Sequence, residues 1–285
     1  MSSDDSDFCG RRQAVALTIA GSDSGGNAGV QADLRAFHVF GVHGCTVFAA
    51  LTAQNPFGVR DILTVDADFV AAQLDAVLEA YAVTALKTGM LFSPQVIETV
   101  ADRLFCQNRI LKVIDPVMVA TSGARLLQDD AVATLKARLL PLATLITPNL
   151  PEAEVLLGRP VETREAMVDA ARELSDAFGC AVLVKGGHGT AVCAEDVLFD
   201  GASAVRLSTP RIVDPVSTHG TGCTLSAAIA ASLACGKTLS EAVVEGKAFV
   251  YESIRTGVKV GEAAAVLGTP ARIPVEAVTV DKLSP

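Results

Sequence analysis

AVALTIAGSDSGGNAGVQADLRAFHVF, residues 14–40, changes its hydrophobic period once along its length. Ala14 to Ala20 is a short apolar run of strand length, and from Ala28 to Phe40 the apolar residues recur at helical spacing. Between them lies Gly21-Ser22-Asp23-Ser24-Gly25-Gly26-Asn27-Ala28-Gly29, four glycines in nine residues. Strand, glycine loop and helix make the opening unit of an α/β protein. The unit recurs downstream. CTVFAALTA (45–53), TALKT (84–88), LKVID (111–115), TLIT (144–147) and AVLVK (181–185) read as strands. DFVAAQLDAVLEA (68–80), SPQVIETVADRLF (93–105), DDAVATLKARLL (129–140) and REAMVDAARELSDAF (164–178) read as helices, with Ser93 and Thr163 as caps and Pro94 in a first turn. Repeated alternation predicts an α/β fold with a mostly parallel central sheet and helices on both faces.

The signal changes at VCAEDVLFD (192–200) and SAVRLS (203–208), two strand-like pieces joined through Asp200-Gly201, a hairpin turn signal. GCTLSAAIAASLACG (222–236) and SEAVVEGKAFVYESIRT (240–256) then read as helices, and residues 257–285 carry no firm signal. With no proline-rich linker, low-complexity tract or repeat, residues 13–285 are expected to form a single domain. Met1 to Arg12, with Asp4, Asp5 and Asp7, reads as a disordered tail that is neither a secretory signal nor a basic transit peptide.

Of 285 residues 32 are acidic and 23 basic, a net charge of −9, and only 5% are aromatic with no Trp. This balance argues against nucleic acid as a partner and for a small molecule. A hydrophobic share of 50% against 19% charged excludes a disordered chain. Seven cysteines without a C-x-x-C pair suggest neither a zinc site nor a disulfide framework, and fit a reducing cytoplasm. Two uncharged stretches, residues 36–59 and 215–236, approach membrane-spanning length. Their His38, His43, Gln54, Asn55 and Pro56, and their Ser217 to Thr221, point instead to burial or to a ligand.

In an open parallel sheet ligands bind beyond the carboxyl ends of the strands. The Gly21 to Gly29 loop is either a phosphate or ligand cradle or an ordinary turn, with Asp33 about one turn into the following helix. Gln54 and Asn55 leave the second strand as amides suited to a heterocycle, or as a polar loop. Met90 lines an apolar ring pocket or belongs to the core. Asp115 at a strand end either organises Mg²⁺ waters or caps a turn, and Glu152, three residues after Asn149, either holds Mg²⁺ through water or satisfies a helix dipole. Lys185 precedes Gly186-Gly187-His188-Gly189, a phosphate site or a tight turn. Ser217-Thr218-His219-Gly220-Thr221-Gly222-Cys223-Thr224 runs into an apolar helix, whose first-turn amides form an anion hole for a transferring phosphoryl group. Cys223 beside those amides is expected to have its thiol pKa lowered toward neutrality and to serve as general base, the alternative being a small packing residue. Gly236-Lys237-Thr238 imitates a P-loop end, but Ala231 stands where its first Gly is required.

Taken together, LTIAGSDSGGNAGVQADL, GVHGCTVFAALTAQN, KTGML, IDPVMVATSG, LITPNLPEAEVLLG, VLVKGGH and STHGTGCTLSAAIAA resemble the bifunctional hydroxymethylpyrimidine and phosphomethylpyrimidine kinases of thiamine biosynthesis, ribokinase-like enzymes. The resemblance spans about Ala14 to Ile254. It implies a ribokinase-like domain, with ATP as co-substrate and Mg²⁺ as cofactor. The implied reaction phosphorylates 4-amino-5-hydroxymethyl-2-methylpyrimidine to its monophosphate and then its diphosphate. By motif, Gln54 would bond the aminopyrimidine among Gly21, Thr52 and Met90, with Asp33 in support. Asn149, Asp115 and Lys185 would serve ATP, Glu152 and Asp115 the metal through water, and Gly220, Thr221, Gly222 and Cys223 the anion hole and base. Thr121 stands where many members carry Lys, Asn27 replaces a common Gly, and the family's Gly-His-Gly-Pro string is absent near the C-terminus. A pyridoxal kinase of the same fold and a non-catalytic vitamin-precursor sensor are the alternatives, and a homodimer is left open.

Overall fold

A sheet residue whose two faces are both covered must be apolar on both, and the short strand runs of this chain satisfy that condition. The computed structural model describes residues 13–118, 127, 130–187, 192–262 and 264–283. In order, the elements through the first half are β1 (Val15–Asp23), α1 (Gly29–Val39), β2 (His43–Asn55), β3 (Gly58–Thr64), α2 (Ala67–Ala80), β4 (Ala85–Thr88), α3 (Pro94–Phe105) and β5 (Leu111–Ile114). There follow α4 (Ala131–Thr134), β6 (Leu145–Ile146), α5 (Leu150–Leu157), α6 (Arg164–Phe178), β7 (Ala181–Lys185), β8 (Cys193–Phe199), β9 (Ala204–Pro210), α7 (Thr221–Ala234), α8 (Leu239–Arg255), β10 (Val258–Lys259), β11 (Ala265–Val266) and β12 (Thr279–Leu283).

Among the described residues ten strands form one sheet in the order β12-β9-β8-β7-β6-β5-β4-β1-β2-β3. The run from β2 to β7 is parallel, and β3, β8, β9 and β12 are antiparallel additions at its two borders. The predicted parallel sheet with helices on both faces is therefore present. Alternate residues sort to the two sides: Leu17, Ile19, Leu86, Ile114, Val182 and Val184 pack under α2 to α6. Ala16, Ala85, Val113, Ala181 and Leu183 meet α1, α7 and α8. Helix α7 is buried continuously from Thr224 to Leu233, which explains a helix with no polar face. Each fully buried Leu or Ile contributes about 1.5–3 kcal/mol relative to exposure.

Local chemistry sets the helix ends. Ser93 Oγ accepts from Val96 N, Thr163 Oγ1 from Ala166 N, and Asn149 with Glu152 closes a reciprocal capping box at α5. The 129–140 helix expectation holds in changed form. After α4 the backbone widens into a π turn, Leu135–Leu139, and tightens to a 3-10 turn over Leu140–Leu142, where Pro141 lacks the N–H that an α-helix would use. Asp200 Oδ1 accepts from Ala202 N and Ser203 N, making the predicted hairpin turn between β8 and β9. Strand β3 was not expected; its Arg60, Asp61 and Thr64 leave too little alternation for a strand reading. In the unread C-terminal region β12 pairs with β9 from Thr279↔Ser208 to Leu283↔Ala204. Among the described residues no helix is long and apolar enough to cross a membrane. The tail of residues 1–12 lies outside the described residues, as does Thr121.

The chain leaves β1 toward β2 and β3, then returns on the opposite side as β4. This reversal opens the ligand crevice expected of doubly wound sheets, above the ends of β1 and β4. Truncating the buried centre should be costly and the border tolerant. Leu86→Ala is expected to lose about 2–5 kcal/mol in denaturant unfolding, whereas Leu63→Ser, on exposed β3, should stay within about 0.5 kcal/mol.

Candidate active site

The β1–β2 register shifts between Ala20 and Gly21, where β2 carries the extra residue Ala49, and the end of β1 turns into a loop organised by one buried carboxylate. Asp23 accepts from Gly25 N at 2.7 Å, Asn27 N at 2.9 Å and Ala28 N at 2.8 Å. Burial pushes its pKa up, but His219, these amides and the Gln54 side chain outweigh burial and hold it at about 2. His219 Nε2 stands 3.7 Å from Asp23 Oδ2, linking the first glycine loop to the one before α7. The two loops also touch through backbone. Gly220 has φ +86°, and a Cβ there would lie 1.9 Å from Asn27 O. Gly29 is equally constrained, since its Cβ would meet Gly21 O at 2.3 Å. No other residue type fits either position.

An apolar cluster sits beside this loop. Ala50 and Met90 are buried together, with Val59, Ile62 and Val117 against them. A side chain at Gly21 would collide with Met90 Cε at 2.5 Å, so Gly21 leaves that methionine its place against β1. Thr52 Oγ1 donates to Ser22 O at 2.8 Å, so its hydroxyl fixes the β1–β2 ends. Gln54 is half-buried at the rim, with its amide at Asp23. An ionised carboxylate only accepts, so it takes the Gln54 NH₂ and leaves Oε1 as a free acceptor.

Across the crevice, Asp115 gathers groups from three other elements. Oδ1 accepts from Lys185 Nζ at 2.8 Å and from Thr147 Oγ1 at 3.1 Å, while Oδ2 accepts from Ser226 Oγ on α7 at 3.1 Å. Burial alone would raise its pKa, but Lys185 and Lys87 reverse the direction and hold it down. Lys185 lies 3.9 Å from Glu152 Oε2, and Asn149 bridges to Lys185 along the backbone. A Cβ on Gly222 would be 3.5 Å from Lys185 Nζ and 3.9 Å from Asp115 Oδ2. The start of α7 thus faces a lysine and a carboxylate at close range. Thr224 N donates to Gly220 O, leaving the Gly222 and Cys223 amides ahead of the first intrahelical bond, as an anion hole requires.

Gly21, Met90 and Gln54 therefore gather at one end, and Asp115, Asn149, Glu152, Lys185 and Gly220 to Cys223 at the other. Two expectations change. Asp33, read as a supporting substrate contact, is fully buried; Thr18 Oγ1 donates to its Oδ2 at 2.6 Å and Lys87 Nζ lies 2.9 Å away. Apolar packing of α1 carries it inward, against Lys87 and Thr18. Cys223 was expected to have a lowered thiol pKa, but burial pushes it up, opposed by the Lys87 ammonium and the Gly29 N–H. Asp23 and Lys87 were missed as organising groups. A lysine at an inward position of a four-residue strand was the available signal for the second. His188 and Gly189 lie outside the described residues.

The pattern of the phosphomethylpyrimidine kinase family matches residues 23–267. The hydroxymethylpyrimidine/phosphomethylpyrimidine kinase of Rhizobium meliloti is 50% identical over 244 residues, covering 85% of this chain and 90% of that protein. The thiamine biosynthesis bifunctional protein ThiED of Geobacter sulfurreducens is 49% identical over 245 residues, 86% of this chain, which spans only 50% of that protein's length. Among solved structures, the pyridoxal kinase from Staphylococcus aureus in complex with ADP superposes with a TM-score of 0.87 at 32% identity, covering 96% of this chain and all of that one. With ribokinase-like neighbours in fold and kinases as its relatives in sequence, the chain belongs to the phosphomethylpyrimidine kinase family.

Proposed function

We propose that this protein transfers the γ-phosphoryl group of ATP to the hydroxymethyl oxygen of 4-amino-5-hydroxymethyl-2-methylpyrimidine, and then phosphorylates the monophosphate to the diphosphate. The observation that carries this reading is the α7 N-terminus, with Gly222 directly facing Lys185 and Asp115. Such a site needs no covalent intermediate: it positions the reactants and offsets charge on the transferred group. Gly21, Ala50 and Met90 would take the ring face, and Gln54 Oε1 would accept from the exocyclic amine because Asp23 holds its NH₂. Cys223 would accept the hydroxyl proton, and Lys185 with the Gly220 to Cys223 backbone would hold the phosphates.

The residues present also suit Mg²⁺ bound mainly through water. Among the described residues no cluster of three or more ligating side chains exists, which excludes an all-protein cage there. Asp115 and Glu152 instead supply two carboxylates beside Lys185, a donor set typical for magnesium shared with nucleotide phosphates. When bound, the ion would neutralise phosphate charge. Burial pushes the Glu152 carboxyl up to about 7, with Lys185 lowering and Asp115 raising it.

Pyridoxal phosphorylation is the second reading, favoured by the close superposition on the Staphylococcus aureus pyridoxal kinase. Product masses after incubation with ATP, Mg²⁺ and either acceptor decide between them. Mono- and diphosphate from the pyrimidine are expected; monophosphate from pyridoxal alone would transfer the protein to the second reading. No turnover despite tight pyrimidine binding would favour a sensor.

Three variants test the parts. Cys223→Ala should reduce kcat by about 10²–10⁴-fold with KM for the pyrimidine nearly unchanged, and an unchanged kcat removes the base role. Gln54→Leu should raise that KM by about tenfold or more in steady-state assays. Glu152→Gln concerns stability and pH. The wild-type acid titrates at about 7 when folded and near 4.5 when unfolded, so its burial costs nothing below about 4.5 and progressively more up to about 7. The glutamine variant keeps the helix cap and lacks that cost, so its stability relative to wild type should rise between pH 5 and 7.5 by on the order of 2 kcal/mol in metal-free denaturant unfolding.

A further inference from the structure

Lys185 is held at its head and along its backbone, and the backbone leads to a buried charge pair that the proposed transfer does not touch. Its Nζ lies 2.8 Å from Asp115 Oδ1, and its own N–H donates to Pro148 O at 2.8 Å. The next amide, Gly186 N–H, is shared between Glu195 O and Asp196 Oδ1, both at 3.0 Å. Asp196 stands directly opposite Lys185 in the antiparallel β7–β8 register, so the two side chains leave the same face of the sheet. On that face Lys247 of α8 donates to Asp196 Oδ2 at 2.6 Å, with both side chains buried. Gly186 is packed too closely for any side chain, since a Cβ there would lie 2.5 Å from Glu195 O and 2.7 Å from Met167 Cε. One residue on, Arg211 Nη1 donates to Gly187 O at 3.2 Å.

The sheet does not need this pair. Gly186 N–H already has a ladder acceptor in Glu195 O, and a buried ion pair is weak evidence for stability, since apolar residues of similar volume usually serve as well. Among the described residues, the one hydrogen bond that joins these two side chains to anything but each other goes to Gly186. That N–H belongs to the peptide plane that begins at Lys185 Cα, so a bond that fixes the plane fixes the origin of the lysine side chain. A carboxylate holds an amide more firmly than a carbonyl does. We propose that Asp196, with Lys247 offsetting its charge, is a positioning residue for the nucleotide, which through the Lys185–Gly186 peptide aims Lys185 Nζ at the phosphates. This rests on the reading of Lys185 as a phosphate contact. The pyrimidine end is built by Gly21, Gln54 and Met90, none of which bonds to Asp196 or Lys247, so the effect belongs to the nucleotide alone.

Calorimetric titration of the full chain with MgATP, in the absence of acceptor, reads nucleotide binding without turnover. Asp196→Leu/Lys247→Met replaces the pair by apolar side chains and strands no charge, so the chain is expected to stay folded, as thermal unfolding checks. Its Kd for MgATP should rise about fivefold or more, roughly what one hydrogen bond is worth. In steady-state assays KM for ATP should rise with it, while KM for the pyrimidine stays within about twofold. A pair with a structural role alone would leave Kd unmoved. Asp196→Asn/Lys247→Met keeps an acceptor for Gly186 N–H without either charge, and should return Kd most of the way to wild type. Asp196→Ala/Lys247→Met removes the same bonds with less volume and gives the same reading should Asp196→Leu/Lys247→Met not fold. Wild-type protein that takes up no MgATP overturns the nucleotide reading of Lys185. Wild-type binding with an unchanged Kd in the folded apolar double variant overturns the positioning role and leaves that reading standing. A Kd that stays raised in Asp196→Asn/Lys247→Met overturns the bond to Gly186 as the route.

Discussion

The site depends on the Asp115 carboxylate, which sits in the protein interior and must be charged to do its work. A buried carboxylate costs several kcal/mol unless its oxygens are well partnered. Here one oxygen takes Lys185 from β7 and Thr147 after β6, and the other takes Ser226 from α7. Those partners come from separate parts of the chain, so satisfying one charge fixes three elements relative to β5. The anion hole is aligned by the same bonds, because Ser226 lies one turn into the helix that forms it. Geometry at the phosphate end is thus a by-product of keeping one acid ionised inside the protein.

The other end rests on backbone contact. The second glycine loop approaches the first so closely that Gly220 has no room for a Cβ, and Gly29 has none because the first loop folds back on its own Gly21 carbonyl. Asp23 then binds the amides of the first loop and draws His219 of the second toward it. Side-chain charge sets one half of the crevice, and steric exclusion sets the other.

Much of this was legible in the sequence. Period changes located the parallel strands and their helices, and the residues just past each strand end include most of the site. Asn149 and Glu152 were readable because a capping box is a local signature. Asp33 was misplaced because sequence distance from the glycine loop says nothing of direction; only the register of α1 on the sheet turns it toward Lys87. The thiol of Cys223 was misread for a related reason. Helix amides favour a thiolate, but the degree of burial that opposes it comes from α1 and β4, which are remote in sequence. β3 and β12 escaped because border strands, wet on one side, carry little apolar alternation.

The strand order has a consequence for synthesis. β1 is made first yet lies inside the sheet, third from one edge, flanked by β2 on one side and β4 on the other. Its partner β2 follows after a single helix, but β4 emerges only once β2, β3 and α2 are complete. Until then the apolar β1 side chains Leu17 and Ile19 lack part of their cover, and one row of β1 backbone groups is open to any other chain. Parallel pairing of distant segments is slow because loop closure precedes the reward. A nascent chain of this fold therefore passes through a stage at the ribosome when a strand destined for the sheet interior is its most vulnerable edge.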